Sequence, residues 1–315
     1  MTAYIVRRLL LAIPVMVLVA TATFLLLHMT PGDPVAVLLG PDATTEQIAE
    51  LRGELGLNDP IYVQYGRWVA GALRGDLGQS IFLNKPVTTA IFERLAPTAQ
   101  LSILASLVAI VIGLSLGILS AVRHGTALDL GAMLIAMIGI SMPTFWLGLN
   151  LIFIFAVSFR LLPPQGYQPL HEGLWDNLSR MILPAITLGA GQGAFLARIT
   201  RSVVLEALRE DYVRTARAKG LSERRVLFGH VLRNGLIPIT TVIGLTFAIL
   251  MGGAVVTEQV FNIPGIGRLL IQAVLRRDFP LIQGIVLFIA FLYVLINLVI
   301  DILYAFLDPR IRYAE

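Results

Sequence analysis

Residues 210–220 read Glu210-Asp211-Tyr212-Val213-Arg214-Thr215-Ala216-Arg217-Ala218-Lys219-Gly220, a charged, helix-forming stretch in a chain that is otherwise mostly apolar. It lies inside Arg198–Arg233, which carries nine Arg/Lys against four acids, and long hydrophobic runs flank it on both sides. Asp211 is placed to N-cap a short helix running to Lys219, and Gly220 is its stop. Tyr212, Val213 and Ala216 then share one face, and Arg214 and Arg217 the other. Ser222 is placed to cap a second helix, on which Val226, Leu227, His230, Val231 and Asn234 form a stripe. The expected object is a helix–Gly–helix elbow. A loop that served only to orient the chain would not need two capped amphipathic helices, so it reads as a docking surface on the cytoplasmic side.

The surroundings of the elbow are lipid-like. Hydrophobic residues make up 57% of the 315 and charged residues only 14%, against about 25% charged in ordinary soluble domains; mean hydropathy is +0.81. Most of the surface therefore faces hydrocarbon. An uncharged run of about 20 residues crosses a core of ~30 Å, and six segments qualify: 9–29, 98–122, 130–159, 183–197, 236–257 and 281–306. Pro143 predicts a kink or early exit in the third. The fourth is short, starts at Pro184 and is expected to continue as helix into the elbow. In the first, the apolar run continues past Ala22 to Leu27, longer than a signal-peptide core, so a retained span is expected. The N-terminal 1–97 is thus a span plus a loop at 30–97. Residues 98–307 are a five-span core containing the cytoplasmic loop 198–235, and 308–315 are a tail.

Orientation follows from the arginines. Arg7 and Arg8 hold the N-terminus inside, six spans return Arg310 and Arg312 to the same side, and the elbow falls there too. The loop 30–97, with five basic and eight acidic residues, falls outside. It has helical pattern: a capping box from Thr44 to Gln47, then Ile48, Leu51 and Leu55, a stop at Gly56, a turn at Asn58-Asp59-Pro60, and a second stripe of Ile61, Tyr65, Trp68 and Val69 ended by Gly75-Asp76-Leu77-Gly78. It is read as a helical cap over the membrane domain and as a dock for an extracytoplasmic partner.

Several chemistries are excluded. There is no cysteine, hence no disulfide or thiolate chemistry. Neither Lys85 nor Lys219 has the Gly-Lys-Ser/Thr setting of a phosphate-binding loop, so the chain does not hydrolyse ATP by that route. Four single histidines lack ligand spacing, and no metal or cofactor is implied. With two lysines and one basic loop, nucleic acid is not a partner. Asp301 is the single acid expected within a span, near its cytoplasmic end, as a packing residue. Such sparse intramembrane charge argues against an ion-coupled secondary transporter or channel, the alternative reading. Past the fifth span, Pro264-Gly265 marks a turn. Ile266, Leu269, Leu270, Ala273 and Val274 follow as an apolar stripe opposed by Arg268, Arg276 and Arg277, an outer interfacial helix read as an anchor or a lid. Recurrent small residues, Gly113 and Gly117, Gly189, Gly191 and Gly193 among them, suit close helix packing.

Taken together these residues resemble the permease subunits of binding-protein-dependent ABC importers, in the dipeptide/oligopeptide/nickel group, over nearly the whole chain. The resemblance rests on Arg7-Arg8, on His28-Met29-Thr30-Pro31-Gly32-Asp33-Pro34 and on Ser141-Met142-Pro143. It rests further on Glu210–Gly220 with His230, Arg233 and Asn234, on Thr257-Glu258 through Arg268, on Arg277-Asp278-Phe279-Pro280, and on Asp308-Pro309-Arg310-Ile311-Arg312. It implies an all-α fold of six transmembrane helices, the type I importer arrangement, in a bacterial cytoplasmic (inner) membrane with both termini cytoplasmic. It implies partners: two ATPase subunits, a second homologous permease and an extracytoplasmic substrate-binding protein. It implies alternating-access import of short peptides, dipeptide, oligopeptide or glutathione. By the resemblance, Glu210, Asp211, Tyr212, Arg214, Thr215, Ala216, Arg217, Lys219, Gly220, His230, Arg233 and Asn234 couple to the ATPase. Glu258, Phe261, Pro264, Gly265, Gly267, Arg268, Arg277 and Asp278 would form an outer gate or binding-protein contact. The wider importer pattern is Glu-Ala-Ala, three residues, then Gly. Here Arg214-Thr215-Ala216 precede Gly220, so the usual glutamate contact does not carry over.

Overall fold

A computed structural model describes residues 2–29, 35, 39, 43–54 and 56–307. The stretch 30–34 at the end of the first span, Leu55 and the tail 308–315 lie outside the described residues. The chain divides into two compact units, residues 2–98 with 264–295 and residues 99–263 with the end of the last helix from Ile296.

The first unit begins with α1 (Thr2–Met29). The short helix α2 (Thr45–Glu54) opens on the expected capping box: the Thr44 amide donates to Gln47 Oε1 at 3.0 Å and the Gln47 amide to Thr44 Oγ1 at 3.3 Å. Gly56 closes it in the left-handed region, φ 65°. The second loop helix, α3 (Ile61–Leu73), lies against α1. There Phe24 packs on Tyr65 and Trp68, and Thr21 and Tyr65 share a hydrogen bond of 2.7 Å. His28, read from sequence as one of the single unliganded histidines, has Nδ1 2.8 Å from the Phe24 carbonyl and Nε2 3.2 Å from Gln64 Oε1. A small hairpin, β1 (Gln79–Ser80) with β2 (Lys85–Pro86), pairs Gln79 with Pro86.

Helix α4 (Val87–Val122) starts at Val87 rather than at the expected Thr98. Its first turns (Val87, Ala90, Ile91) are fully buried against α12 (Ile266–Leu275) and the start of α13 (Phe279–Leu307). The sequence signal stopped at Pro97 and the charges of Glu93 and Arg94, but tertiary burial carries the helix through them.

In the second unit, α5 (Ala127–Ser141) and α6 (Thr144–Leu151) meet at 103° across Met142–Pro143. The kink is thus a sharp break, because proline removes an amide and disfavours helix at the residue before it. A π-helical turn, Ile152–Ser158, extends α6. Helix α7 (Leu174–Leu208) continues past 197 towards the elbow, as expected, but begins well before 183, so Pro184 is interior rather than N-terminal. It packs on α4 through glycines. A Cβ on Gly193 would come within 2.9 Å of Ile112 and 3.1 Å of the Ala109 backbone, and one on Gly117 within 2.7 Å of the Ala197 carbonyl. Small residues here serve close approach. After α8 (Asp211–Ala218) and α9 (Glu223–Val226), a second π-helical turn, Leu227–Val231, leads into α10 (Leu232–Gly253), bent by 53° around Pro238. The short α11 (Val255–Val260) ends the unit's continuous run.

Four described helices are long and apolar enough to cross a membrane, and six spans result if each bent pair counts as one.

Candidate coupling elbow and outer turns

The elbow forms, with one shift. The residue flanking α8 is Glu210, in extended geometry (φ −68°, ψ 148°) without a side-chain cap bond, so Asp211 is the first helical residue and not the cap. Its carboxylate still sits in the first turn, where the helix dipole favours it. At the far end the Gly220 amide bonds the Arg217 carbonyl (2.9 Å) and the Leu221 amide that of Ala216 (3.4 Å), with Gly220 at φ 76°. That is the paired closure that needs a left-handed residue.

Only two residues anchor α8. Val213 is 0% exposed and Ala216 5%, packed with Val204, Ala207, Val226, Val231 and Leu232. Tyr212, expected on the same face, is exposed instead, beside Arg214, Thr215, Arg217 and Lys219. It lies four residues before Ala216 but about 100° round the helix from the fully buried Val213, so it sits at the edge of the buried stripe and not under it. Across the bend, Arg217 grips Glu223 with two bonds, Nε–Oε1 2.8 Å and Nη2–Oε2 3.1 Å. Donating these hydrogen bonds to the Glu223 carboxylate holds the Arg217 guanidinium above its ordinary pKa. Ser222 flanks α9 without a side-chain bond, His230 is half-buried in the π-helical turn, and Arg233 and Asn234 are exposed. A cleft of about 440 Å³ lined by Arg201, Ser202, Glu206, Arg209, Glu210 and Asp211 opens beside the start of α8.

Beneath the elbow lies a cluster that sequence reading missed. Asp129, 6% exposed at the start of α5, accepts from Arg201 Nε and Nη2 at 2.8 Å each, from the Gly125 amide at 3.0 Å and from the Ser120 hydroxyl. His124 Nδ1 lies 3.1 Å from Asp129 Oδ2. Asp301, half-buried in α13, is therefore not the single acid in an apolar helix. The available signal was Thr126-Ala127-Leu128-Asp129, which fits a helix-start pattern. A second polar group at the other end of α7 was also missed: Asn177, fully buried, bonds Gln100, and Tyr167 Oη reaches Gln100 Oε1 at 3.4 Å.

The eight outer residues fall in both units. In the second unit, Glu258 and Phe261 are buried at the end of α11, and the Gly166 amide donates to the Phe261 carbonyl at 2.8 Å. In the first unit, Gly265 flanks α12 and the Ile266 amide donates to Thr98 Oγ1 at 2.8 Å; Gly267 is buried, and Pro264 and Arg268 are half-buried. The interfacial-helix expectation needs correction: Ile266, Leu269 and Ala273 are buried in protein, while Val274 is exposed. Arg277 occupies the left-handed region (φ 53°) and closes α12. Asp278, buried, caps α13 by accepting from the Leu281 amide (3.1 Å), and also accepts from Ser80 Oγ (2.6 Å) and the Phe82 amide (2.9 Å).

A bundle of long apolar helices interrupted by a basic, glycine-hinged elbow defines a multi-pass membrane permease. The chain belongs to the binding-protein-dependent transport system inner membrane component family, which matches residues 113–313, with the corresponding N-terminal family matching 1–102. It is the permease component of an ABC importer, a transport component. Similar proteins include the "Probable peptide ABC transporter permease protein y4tP" of Sinorhizobium fredii, 48% identical over 99% of this chain and 100% of that one. The "Dipeptide transport system permease protein DppB" of Alkalihalophilus pseudofirmus is 42% identical over 99% and 100%. The "Glutathione transport system permease protein GsiC" of Salmonella paratyphi A is 44% identical over 99% and 100%. Among solved structures, an inward-facing form of the MetNI methionine ABC transporter shares the fold, with TM-score 0.59 at 18% identity over 69% of this chain and 96% of that one.

Proposed function

We propose that this permease carries short peptides, dipeptides or glutathione-sized, across a bacterial cytoplasmic membrane by alternating access. Separate ATPase subunits energise it, and the chain itself holds no nucleotide-binding motif. The observation that carries the reading is the build of α8: two buried residues, Val213 and Ala216, fix it to the bundle while Tyr212, Arg214, Arg217 and Lys219 are left exposed. A helix so anchored offers a polar face to a soluble partner and passes displacement to α7 and α10 through its apolar one. Two ATPases, a second permease of the same family and an extracytoplasmic binding protein complete the assembly. Both termini and the elbow face the cytoplasm, as the positive-inside rule asks. ATP binding by the partners needs to favour one arrangement of the spans by a few kcal/mol. Glu258, Phe261, Pro264, Gly265, Gly267, Arg268, Arg277 and Asp278 serve the outer gate or the binding-protein contact. The peptide assignment is supported by the names of relatives alike over their full length.

Purification in mild detergent with identification of bound chains tests the assembly, and ATP-driven uptake of a labelled dipeptide by the reconstituted complex tests the cargo. Uphill transport by this polypeptide alone would overturn the proposal.

A further inference from the structure

Within the first unit, a cleft of about 480 Å³ opens where α1 ends and α13 begins. That is ample for a small ligand, given pockets of about 300–1,000 Å³. Its walls include Phe24, His28, Arg52, Arg67, Trp68 and Gln283. Two of these are polar groups left open by the protein. Trp68 Nε1 is buried and has no hydrogen-bond partner among the described residues. Gln283, only 6% exposed, makes no side-chain hydrogen bond among the described residues. A buried donor left unmade costs about 1–3 kcal/mol, so a site that keeps one is shaped for a ligand acceptor. Arg67 spends one bond on Asp59, at 2.6 Å, and a guanidinium has further donors to give.

The depth of the cleft identifies the ligand. His28 lies in the last turn of a candidate span ending at Met29, and Phe279 opens the one that starts there. The cleft therefore sits at a hydrocarbon boundary, the level of tryptophan belts and of lipid phosphates. Leu25, Leu26 and Met29, in the same turns as Phe24 and His28, are exposed apolar side chains that suit acyl chains. We infer that this cleft binds the phosphate headgroup of one glycerophospholipid. Arg52 and Arg67 face the phosphate, the Trp68 N–H donates to a headgroup oxygen, and the Gln283 amide reads the glycerol ester.

Two measurements test this. The intact complex is assembled in nanodiscs of phosphatidylglycerol and phosphatidylcholine in equal parts, extracted, and weighed by native mass spectrometry. Wild type retains one phospholipid per copy of this chain. Trp68→Phe and Gln283→Leu, made separately, each lower retention about tenfold, the loss of one hydrogen bond. Unaltered retention in both variants, or none in wild type, overturns the site. The second measurement uses a chain in which Trp146 and Trp175 are replaced by Phe, leaving Trp68 as the reporter. Short-chain phosphatidylglycerol shifts its emission and inorganic phosphate does not. An equal shift with phosphate alone would mean a free-anion site and sink the lipid assignment, as would no shift with either.

Discussion

The Arg201 guanidinium holds the Asp129 carboxylate by two parallel bonds of 2.8 Å, Nε to Oδ1 and Nη2 to Oδ2, joining α7 to the start of α5. Asp129 is buried, so removing either partner strands a charge. Asp129→Leu or Arg201→Met is expected to cost about 3 kcal/mol, while the double variant recovers most of it because apolar side chains replace a desolvated pair. Thermal melting of the detergent-solubilised complex reads the cycle; additive single losses would show that the two residues do not act as a pair.

Gly220 sits at φ 76° with open space around its α-carbon, so conformation alone sets the cost of substitution there. Gly220→Ala should cost about 1–2 kcal/mol and Gly220→Asn less. Gly220→Pro forces φ negative and removes the amide that bonds Arg217. The expected order of ATP-driven uptake is wild type, Asn, Ala, then Pro with none, at equal membrane insertion by immunoblot. Asp211→Lys, which places a cation at the positive end of α8, is likewise expected to abolish uptake. Full uptake by the Pro variant would remove the elbow from the coupling role.

Gly193 and Gly66 make a matched pair. Gly193→Val drives a side chain into Ile112 and the Ala109 backbone, and overpacking of this kind costs about 1–3 kcal/mol. Gly66, in α3, has nothing within 4 Å of a new Cβ among the described residues, so Gly66→Ala should be neutral or stabilise by up to about 1 kcal/mol. Thermal melting of both variants checks the contrast.

Arg277 and Asp278 close one helix and open the next. Arg277→Gly relieves a left-handed backbone and should stabilise by about 1 kcal/mol. Asp278→Ala leaves Ser80, the Phe82 amide and the Leu281 amide without their acceptor, a cost of about 1–3 kcal/mol per group left buried and unpaired. Thermal melting reads the gain in Arg277→Gly, and limited proteolysis at the 79–86 hairpin, faster in Asp278→Ala, reads the loss.

Local rules carried much of this fold. The Thr44–Gln47 box, the left-handed stops at Gly56 and Gly220, the break at Pro143 and the close-packed glycines of α7 each follow from a few neighbouring residues. Tertiary burial decided the rest. Helix α4 begins at Val87 because α12 and α13 cover the apolar face (Val87, Ala90, Ile91) of its first turns, and α7 tolerates an interior Pro184 because neighbours hold both sides of it. The Asp129–Arg201 pair joins residues far apart in sequence, and no periodicity reports such a contact. In the elbow, the exposure of the basic residues was legible from their spacing. The exposure of Tyr212 was not, because hydrophobic character alone placed it with Val213.

Helix α7 is 35 residues of continuous α-helix, or about 50 Å at 1.5 Å per residue, against a hydrocarbon thickness of about 30 Å. Untilted, the rod exceeds that layer by about 20 Å. Its charged end, from Arg198 to Leu208, continues the same rod beyond the apolar run and leads directly to α8. A small tilt of so long a rod is magnified at its far end, where α8 begins.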